Sequence, residues 1–485
     1  MADDLWFLSV REQAALIAAR TLSSVELTRA YIDRIERLDQ PSFALPAAPQ
    51  DRPGDKLATV TTFVRDGALA AAARADDEIR QSGPRSPVHG IPFGVKDLLD
   101  TNGVRTTWGS RVFADRVPTR DAAVVERLRA AGAVLLGKMT TAEFAGGSTS
   151  TALNPWKLDR STQGSSSGTV AGVVAGFIGF GIGTETGGSI VFPAAAVGAT
   201  GLRPTYGRVS RFGCMPLAWS LDKIGPVARN AFDCGLVLEV IAGRDRRDPG
   251  TAERAAFQFR RESARLAGMR IGVHQREFDA APEPNRRVFA AALDTLRAEG
   301  AVLEDISLPE RPYAEVFSHI VSVESAAAFR DIFENARIDA MFPYNWSRRA
   351  DWMAASMAPA YDYLKAQRIR QLIVNDADTL MERYDLTICP TFATGSPERS
   401  APTSPPIPPP SLPGTPPDMP RLNWVANMSG LPGMSIPCGF DADGMPLALH
   451  LVGRAWDEQR LLDTAITFQR ATGWHDRRPP YPWRA

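Results

Sequence analysis

Between residues 7 and 38 the apolar positions recur at helical spacing, with a break from Thr21 to Ser24. Ser23 followed by Glu26 forms a capping box, so the pattern predicts two N-terminal helices, the second starting there. Residues 67–80 (GALAAAARADDEIR) predict an Ala-rich helix, and 89–96 (HGIPFGVK) a short buried strand ending at Lys96. Helix and strand then alternate. Residues 121–132 (DAAVVERLRAAG) read as a helix with Asp121 as N-cap and Gly132 just past its end, followed at once by the apolar run 133–137. The same rhythm returns at 269–273 (MRIGV), in a helix over 284–299, and at 301–308 (AVLEDISL). Strands at 386–389, 434–437 and 447–453 and a closing helix from Asp457 complete the series. Such alternation predicts an α/β protein with a largely parallel or mixed sheet covered by helices.

Two segments depart from that rhythm. Residues 396–420 hold 11 of the 38 prolines, so they form neither a helix nor an inner strand, and read as a long linker or an active-site flap. The longest uncharged stretch, 161–184, has the length of a membrane span. Its first part is too polar and Gly-rich to be one, which leaves a buried helix and strand.

Composition narrows the function classes. With 44% hydrophobic and 23% charged residues the 485-residue chain resembles an average globular protein. Lys plus Arg (55) balances Asp plus Glu (55), so no global field draws nucleic acid or an anionic membrane, and a small-molecule substrate is expected. Cys214, Cys234, Cys389 and Cys438 are scattered without a CxxC pair, and the acidic N-terminus lacks a signal pattern; both features predict a cytoplasmic protein. Only six of the basic residues are lysine: Lys56, Lys96, Lys138, Lys157, Lys223 and Lys365. Each raises the question of what Arg could not do there. A desolvated Lys can become a neutral base, whereas Arg keeps its proton.

Nine glycines fall between Gly164 and Gly188. They form neither GxxxxGK[ST] nor GxGxxG, which argues against a nucleotide cradle. Glycines also let backbone N–H groups converge on one cavity, as an oxyanion hole requires, and Gly187-Gly188-Ser189 would set a serine beside such donors. Residues 164–168 fit GxSxG centred on Ser166, the motif of an α/β-hydrolase-type esterase. That reading needs a strand before the motif, whereas 154–163 is turn-rich. The five histidines are scattered and none has a zinc spacing. With His unsupported, the candidate base is Lys96 at the end of an apolar strand.

Residues 90–110 (GIPFGVKDLLDTNGVRTTWGS), 154–168 (NPWKLDRSTQGSSSG) and 183–230 (beginning GTETGGSIVFP) together strongly resemble the amidase signature family of Ser-Ser-Lys amidohydrolases. The likeness extends over nearly the whole chain, to the segment around 432–462. It implies one amidase domain over 1–485, a central twisted mixed β-sheet with helices on both faces. Within it, 1–60 would hold the N-terminal helices, 61–240 the signature core, and 241–485 the remaining sheet and helices. By position, Ser189 matches the acyl-accepting nucleophile, Lys96 the base, and Ser165, 24 residues earlier, the bridging serine that sits on a cis peptide bond in the family. Thr186, Gly187, Gly188 and Ser189 match the backbone oxyanion loop. The implied reaction is hydrolysis of a carboxylic amide with no metal or organic cofactor.

Two departures stand out. Gln163 to Gly168 replaces the common GGSSGG, and Val191 stands where the family often has Arg. Val191, with Ile190, Phe192 and Phe144, therefore points to hydrophobic or aryl amides, aryl carbamates or esters. The alternative reading is a glutamine-hydrolysing component of a tRNA-dependent amidotransferase. Oligomeric state stays open, a homodimer included.

Overall fold

The structure, a computed structural model, describes residues 2–39, 56–146, 151–262, 265–342, 346–399 and 420–480. Most of the Pro-rich segment 396–420 thus lies outside the described residues. The two predicted N-terminal helices are Val10–Ala18 and Ser24–Leu38, and each opens with a capping box, Ser9 with Glu12 and Ser23 with Glu26. Remote carboxylates take the next N–H groups: Asp233 accepts from Val10 and Arg11, and Asp76 from Ser24 and Val25. Helix-start donors that lack intrahelical partners are thereby used to dock the helices onto the rest of the domain.

Eleven strands form one mixed sheet. In chain order they are β1 (Val60–Phe63), β2 (Pro92–Lys96), β3 (Val134–Met139), β4 (Phe180–Glu185), β5 (Thr200–Arg203), β6 (Lys223–Ala228), β7 (Arg270–Val273), β8 (Val302–Asp305), β9 (Leu386–Pro390), β10 (Gly433–Phe440) and β11 (Pro446–Gly453). Their spatial order is β1-β3-β2-β4-β6-β5-β10-β11-β9-β7-β8. β2 runs parallel to both β3 and β4, and β7 parallel to both β8 and β9; the other pairings are antiparallel. Every residue of β2, β3, β4, β6, β9 and β11 is buried, so helices or loops must cover both faces of these strands.

One expectation needs correction. Asp121 does not cap the helix after it: the helix is Ala123–Ala130, and its N-cap is Ala122, without a side-chain cap. The Asp121 carboxylate instead accepts the Asn102 N–H at 2.7 Å and faces Arg129 at 2.8 Å, fastening the neighbouring loop. No helix among the described residues is long and apolar enough to cross a membrane. The uncharged stretch 161–184 resolves into the buried helix Ser167–Val174 and β4.

Candidate active site

The site grows from the parallel pair β2 and β4. Their register pairs Val95 with Ile182, so Lys96, ending β2, arrives level with Gly183 and Thr184. Lys96 is fully buried, with Nζ 2.7 Å from Ser165 Oγ, 2.9 Å from Thr184 Oγ1 and 3.4 Å from the Thr184 carbonyl. Burial penalises its ammonium form and brings its pKa down to about 7, although Cys214, Asp222 and Glu185 favour the charge. A lysine poised there is neutral for part of the time at neutral pH. It can then accept a proton from the serine hydroxyl it touches.

Ser165 lies in the loop that enters the helix Ser167–Val174, and the Gly164–Ser165 peptide is cis. Its carbonyl accepts from the Thr141 hydroxyl at 2.9 Å and the Ala142 N–H at 3.4 Å, which pins the loop. Ser166, the centre of GxSxG, has a different role. Its N–H donates to the Ser189 carbonyl at 3.2 Å and its hydroxyl to the Thr184 carbonyl at 3.2 Å. It latches the Ser165 loop to the Ser189 loop. No strand precedes it, so the strand–turn–helix elbow of an α/β-hydrolase is absent at this position.

After β4 the chain turns through residues 186–190 into the helix Val191–Val197. Gly187 and Gly188 are sterically required. A Cβ on Gly187 would meet the Phe317 ring at 2.2 Å, and Gly188 combines φ +131° with a Cβ position 2.3 Å from the Phe192 ring. Ser189 at the apex is half-buried, and among the described residues its hydroxyl makes no hydrogen bond. The N–H groups of Gly187, Gly188 and Ser189 likewise donate to no protein acceptor among the described residues. Three consecutive donors without acceptors, beside a serine, are what a developing oxyanion needs.

Sequence reasoning missed the residues that brace this turn. The Glu185 carboxylate accepts the N–H groups of Ile190 and Val191 at 2.9 and 3.0 Å and is paired with Arg203 at 2.6 Å. Burial opposes that charge, but Arg203 and Lys223 together hold Glu185 at about 2. The Thr186 hydroxyl donates to Asp222 at 2.6 Å, and burial lifts Asp222 to about 6. Lys223 is itself brought down to about 7 by burial.

Two residues expected to line the pocket are packed away. Val191 begins the helix after the turn and is fully buried. Phe144 is also fully buried, its ring 4.9 Å from Phe329 and 5.5 Å from Trp352. Neither side chain has accessible surface in this conformation. A recess of about 570 Å³ does lie close by, lined in part by Gln163, Phe392, Arg276, Glu277 and Arg421. Phe392, which lines the recess, packs on Phe192 with ring centroids 4.8 Å apart, and the Phe192 ring in turn lies against Gly188.

A buried lysine on one serine, with a second serine in a glycine turn latched to the same loop, is an arrangement that can activate a serine hydroxyl without a histidine. The chain belongs to the amidase family: the profile described as Amidase matches residues 26–462. It is 37% identical to a glutamyl-tRNA(Gln) amidotransferase subunit from Roseiflexus castenholzii, covering 98% of both chains, and 38% identical to the protein of the same name from Moorella thermoacetica, covering 98% of this chain and 99% of that one. Among solved structures, the peptide amidase from Stenotrophomonas maltophilia superposes with a TM-score of 0.79 at 30% identity, covering 98% of each chain.

Proposed function

We propose that this protein hydrolyses a carboxylic amide through an acyl-enzyme on Ser189. The observation that carries the proposal is the 2.7 Å contact between buried Lys96 and Ser165, whose loop Ser166 latches to that of Ser189. Neutral Lys96 takes a proton from Ser165, Ser165 takes one from Ser189, and the Ser189 oxygen attacks the carbonyl carbon. The N–H groups of the 187–189 turn receive the oxyanion. As the C–N bond breaks, Ser165 passes a proton to the departing nitrogen. Water then cleaves the ester by the reverse relay, releasing the carboxylic acid and free Ser189.

On the choice of amide, the relatives favour glutamine. Identity of 37–38% along the whole length to proteins named as amidotransferase subunits supports a glutaminase role inside a larger assembly better than it supports an aryl-amide hydrolase. Val191 has no accessible surface in this conformation, which weighs against an apolar pocket built on it. A second reading, a self-sufficient amidase acting on apolar or peptide amides, draws on the likeness to the peptide amidase and on the rings of Phe192 and Phe392 beside the turn.

The test is ammonia or amine release by the purified chain from glutamine, a peptide amide and an anilide, with and without added amidotransferase partner subunits. Glutamine turnover that appears or rises on adding partners supports the first reading. Turnover of the other amides by the chain alone supports the second. Inertness toward all of them, with Ser189 unreactive, defeats both.

A further inference from the structure

Lys223 opens β6 and is buried, with Nζ 3.0 Å from Asn427 Oδ1 and 3.4 Å from the Thr186 carbonyl. Asn427 and Asn423 lie one turn apart on the helix Arg421–Met428, both fully buried. The Asn427 side-chain amide donates to Asn423 Oδ1 at 3.1 Å, and the Asn423 side-chain amide donates in turn to the Gly187 carbonyl at 3.2 Å. A continuous chain of donors thus runs from the Lys223 amine through two asparagine amides to the peptide that joins Gly187 to Gly188.

In a trans peptide the C=O and N–H point in opposite directions. The Thr186 carbonyl faces Lys223, so the Gly187 N–H faces away from it. The Gly187 carbonyl faces Asn423, so the Gly188 N–H faces away from that helix. These are two of the three N–H groups that lack a protein acceptor. A flexible Gly-Gly pair has no side chains to hold its peptide planes, so their orientation must come from what the carbonyls bind. Every bond in the chain also points the same way, a head-to-tail arrangement in which hydrogen bonds polarise one another.

We infer that Lys223, Asn427 and Asn423 are positioning residues of the amide hydrolysis: they aim, and through aligned hydrogen bonds strengthen, the Gly187 and Gly188 oxyanion donors. The inference rests on the proposed reaction, and it goes beyond the triad and its turn. All three side chains are buried, so they act through the turn. Their effect belongs to the transition state, where negative charge reaches the oxyanion, and not to ground-state binding.

The experiment compares Asn423→Leu and Lys223→Met with the unaltered chain. The readouts are the rate of phosphonylation of Ser189 by an alkyl fluorophosphonate, the separate kcat and KM for a p-nitrophenyl ester, and Tm. Loss of one oxyanion donor costs on the order of 100-fold or more in kcat, so misaiming one should cost at least about tenfold. The expected result is a drop of that size in kcat and in phosphonylation rate, with KM nearly unchanged. Asn423→Asp keeps the side-chain volume while removing the donor, and replaces Asn423→Leu if the latter does not fold. Folded variants that react at the unaltered rate, or that change only KM or Tm, overturn the inference. An unaltered chain whose Ser189 never reacts overturns the proposed reaction and this inference with it.

Discussion

Lys96 and Ser165, 69 residues apart in sequence, meet at 2.7 Å in a place that no solvent reaches. Burial brings the lysine pKa down to about 7, which sets the direction of the pH dependence. Below that value the ammonium form dominates and cannot accept a proton. Above it the neutral amine does, so kcat/KM should rise from about pH 6 toward 8 or 9 and level off. Lys96→Arg should be about as inactive as Lys96→Met, roughly 100-fold or more below the unaltered chain, because Arg restores charge but no base. A pH–rate profile of all three checks this, and substantial activity in Lys96→Arg would sink the relay. Lys96→Met should not lower stability at about pH 7. A lysine whose folded pKa lies below its unfolded value weakens the fold throughout that pH range, and removing it removes that penalty.

Ser166 and Ser189 separate the two serine chemistries. Ser189→Ala should abolish fluorophosphonate labelling and turnover. Ser166→Ala should keep labelling while losing about 1 kcal/mol of stability, since the hydroxyl of this buried residue bonds the Thr184 carbonyl and Thr184 supports Lys96. Mass spectrometry of the labelled peptide decides: an adduct on Ser166 would bring back the α/β-hydrolase reading.

How much of this was legible in the sequence depends on the range of the interaction. Eight of the eleven strands follow from apolar runs, whereas β1, β5 and β6 do not. They carry Thr, Gly or Pro, and they are strands because their neighbours pair with them. The positions proposed for the triad come from the resemblance to the amidase signature family, which rests on local motifs. Their support does not: Asn423 reaches Gly187 across 236 residues, and no local pattern announces that contact. The scarcity of lysine was the one available signal. Lys96, Lys138 and Lys223 all prove buried, and Lys138 binds Thr101 and Thr106 at 3.0 and 2.9 Å, away from Ser165. Asking what Arg could not do at each lysine thus leads to Lys223 as well as to Lys96.

Glu185 and Arg203 form a wholly buried pair at 2.6 Å, and the carboxylate also receives Ile190 and Val191. Removing one partner leaves an uncompensated buried charge, so Glu185→Ala should cost about 3–5 kcal/mol. The folded pKa, about 2, lies below the usual value near 4.5. The contribution is therefore fully present above about pH 4.5 and lost as pH falls from there toward about 2. Denaturant melts at about pH 7 and about pH 3.5 should converge for the unaltered chain and Glu185→Ala as the pH drops; a constant gap would contradict the assignment.

Val191 and Phe392 give opposite expectations for selectivity. Val191→Ala removes two buried methyl groups at the start of the helix that follows Ser189, which should cost about 2 kcal/mol and lower Tm. Its side chain has no accessible surface, so the ratio of kcat/KM for glutamine to that for an anilide should stay where it was. Phe392 lines the 570 Å³ recess and packs on the ring beside Gly188. Phe392→Ala should therefore move that ratio by roughly tenfold in favour of the smaller, polar amide, as the loss of an apolar contact to one substrate does. A shift in the ratio for Val191→Ala with none for Phe392→Ala would reverse these assignments and return Val191 to the substrate pocket.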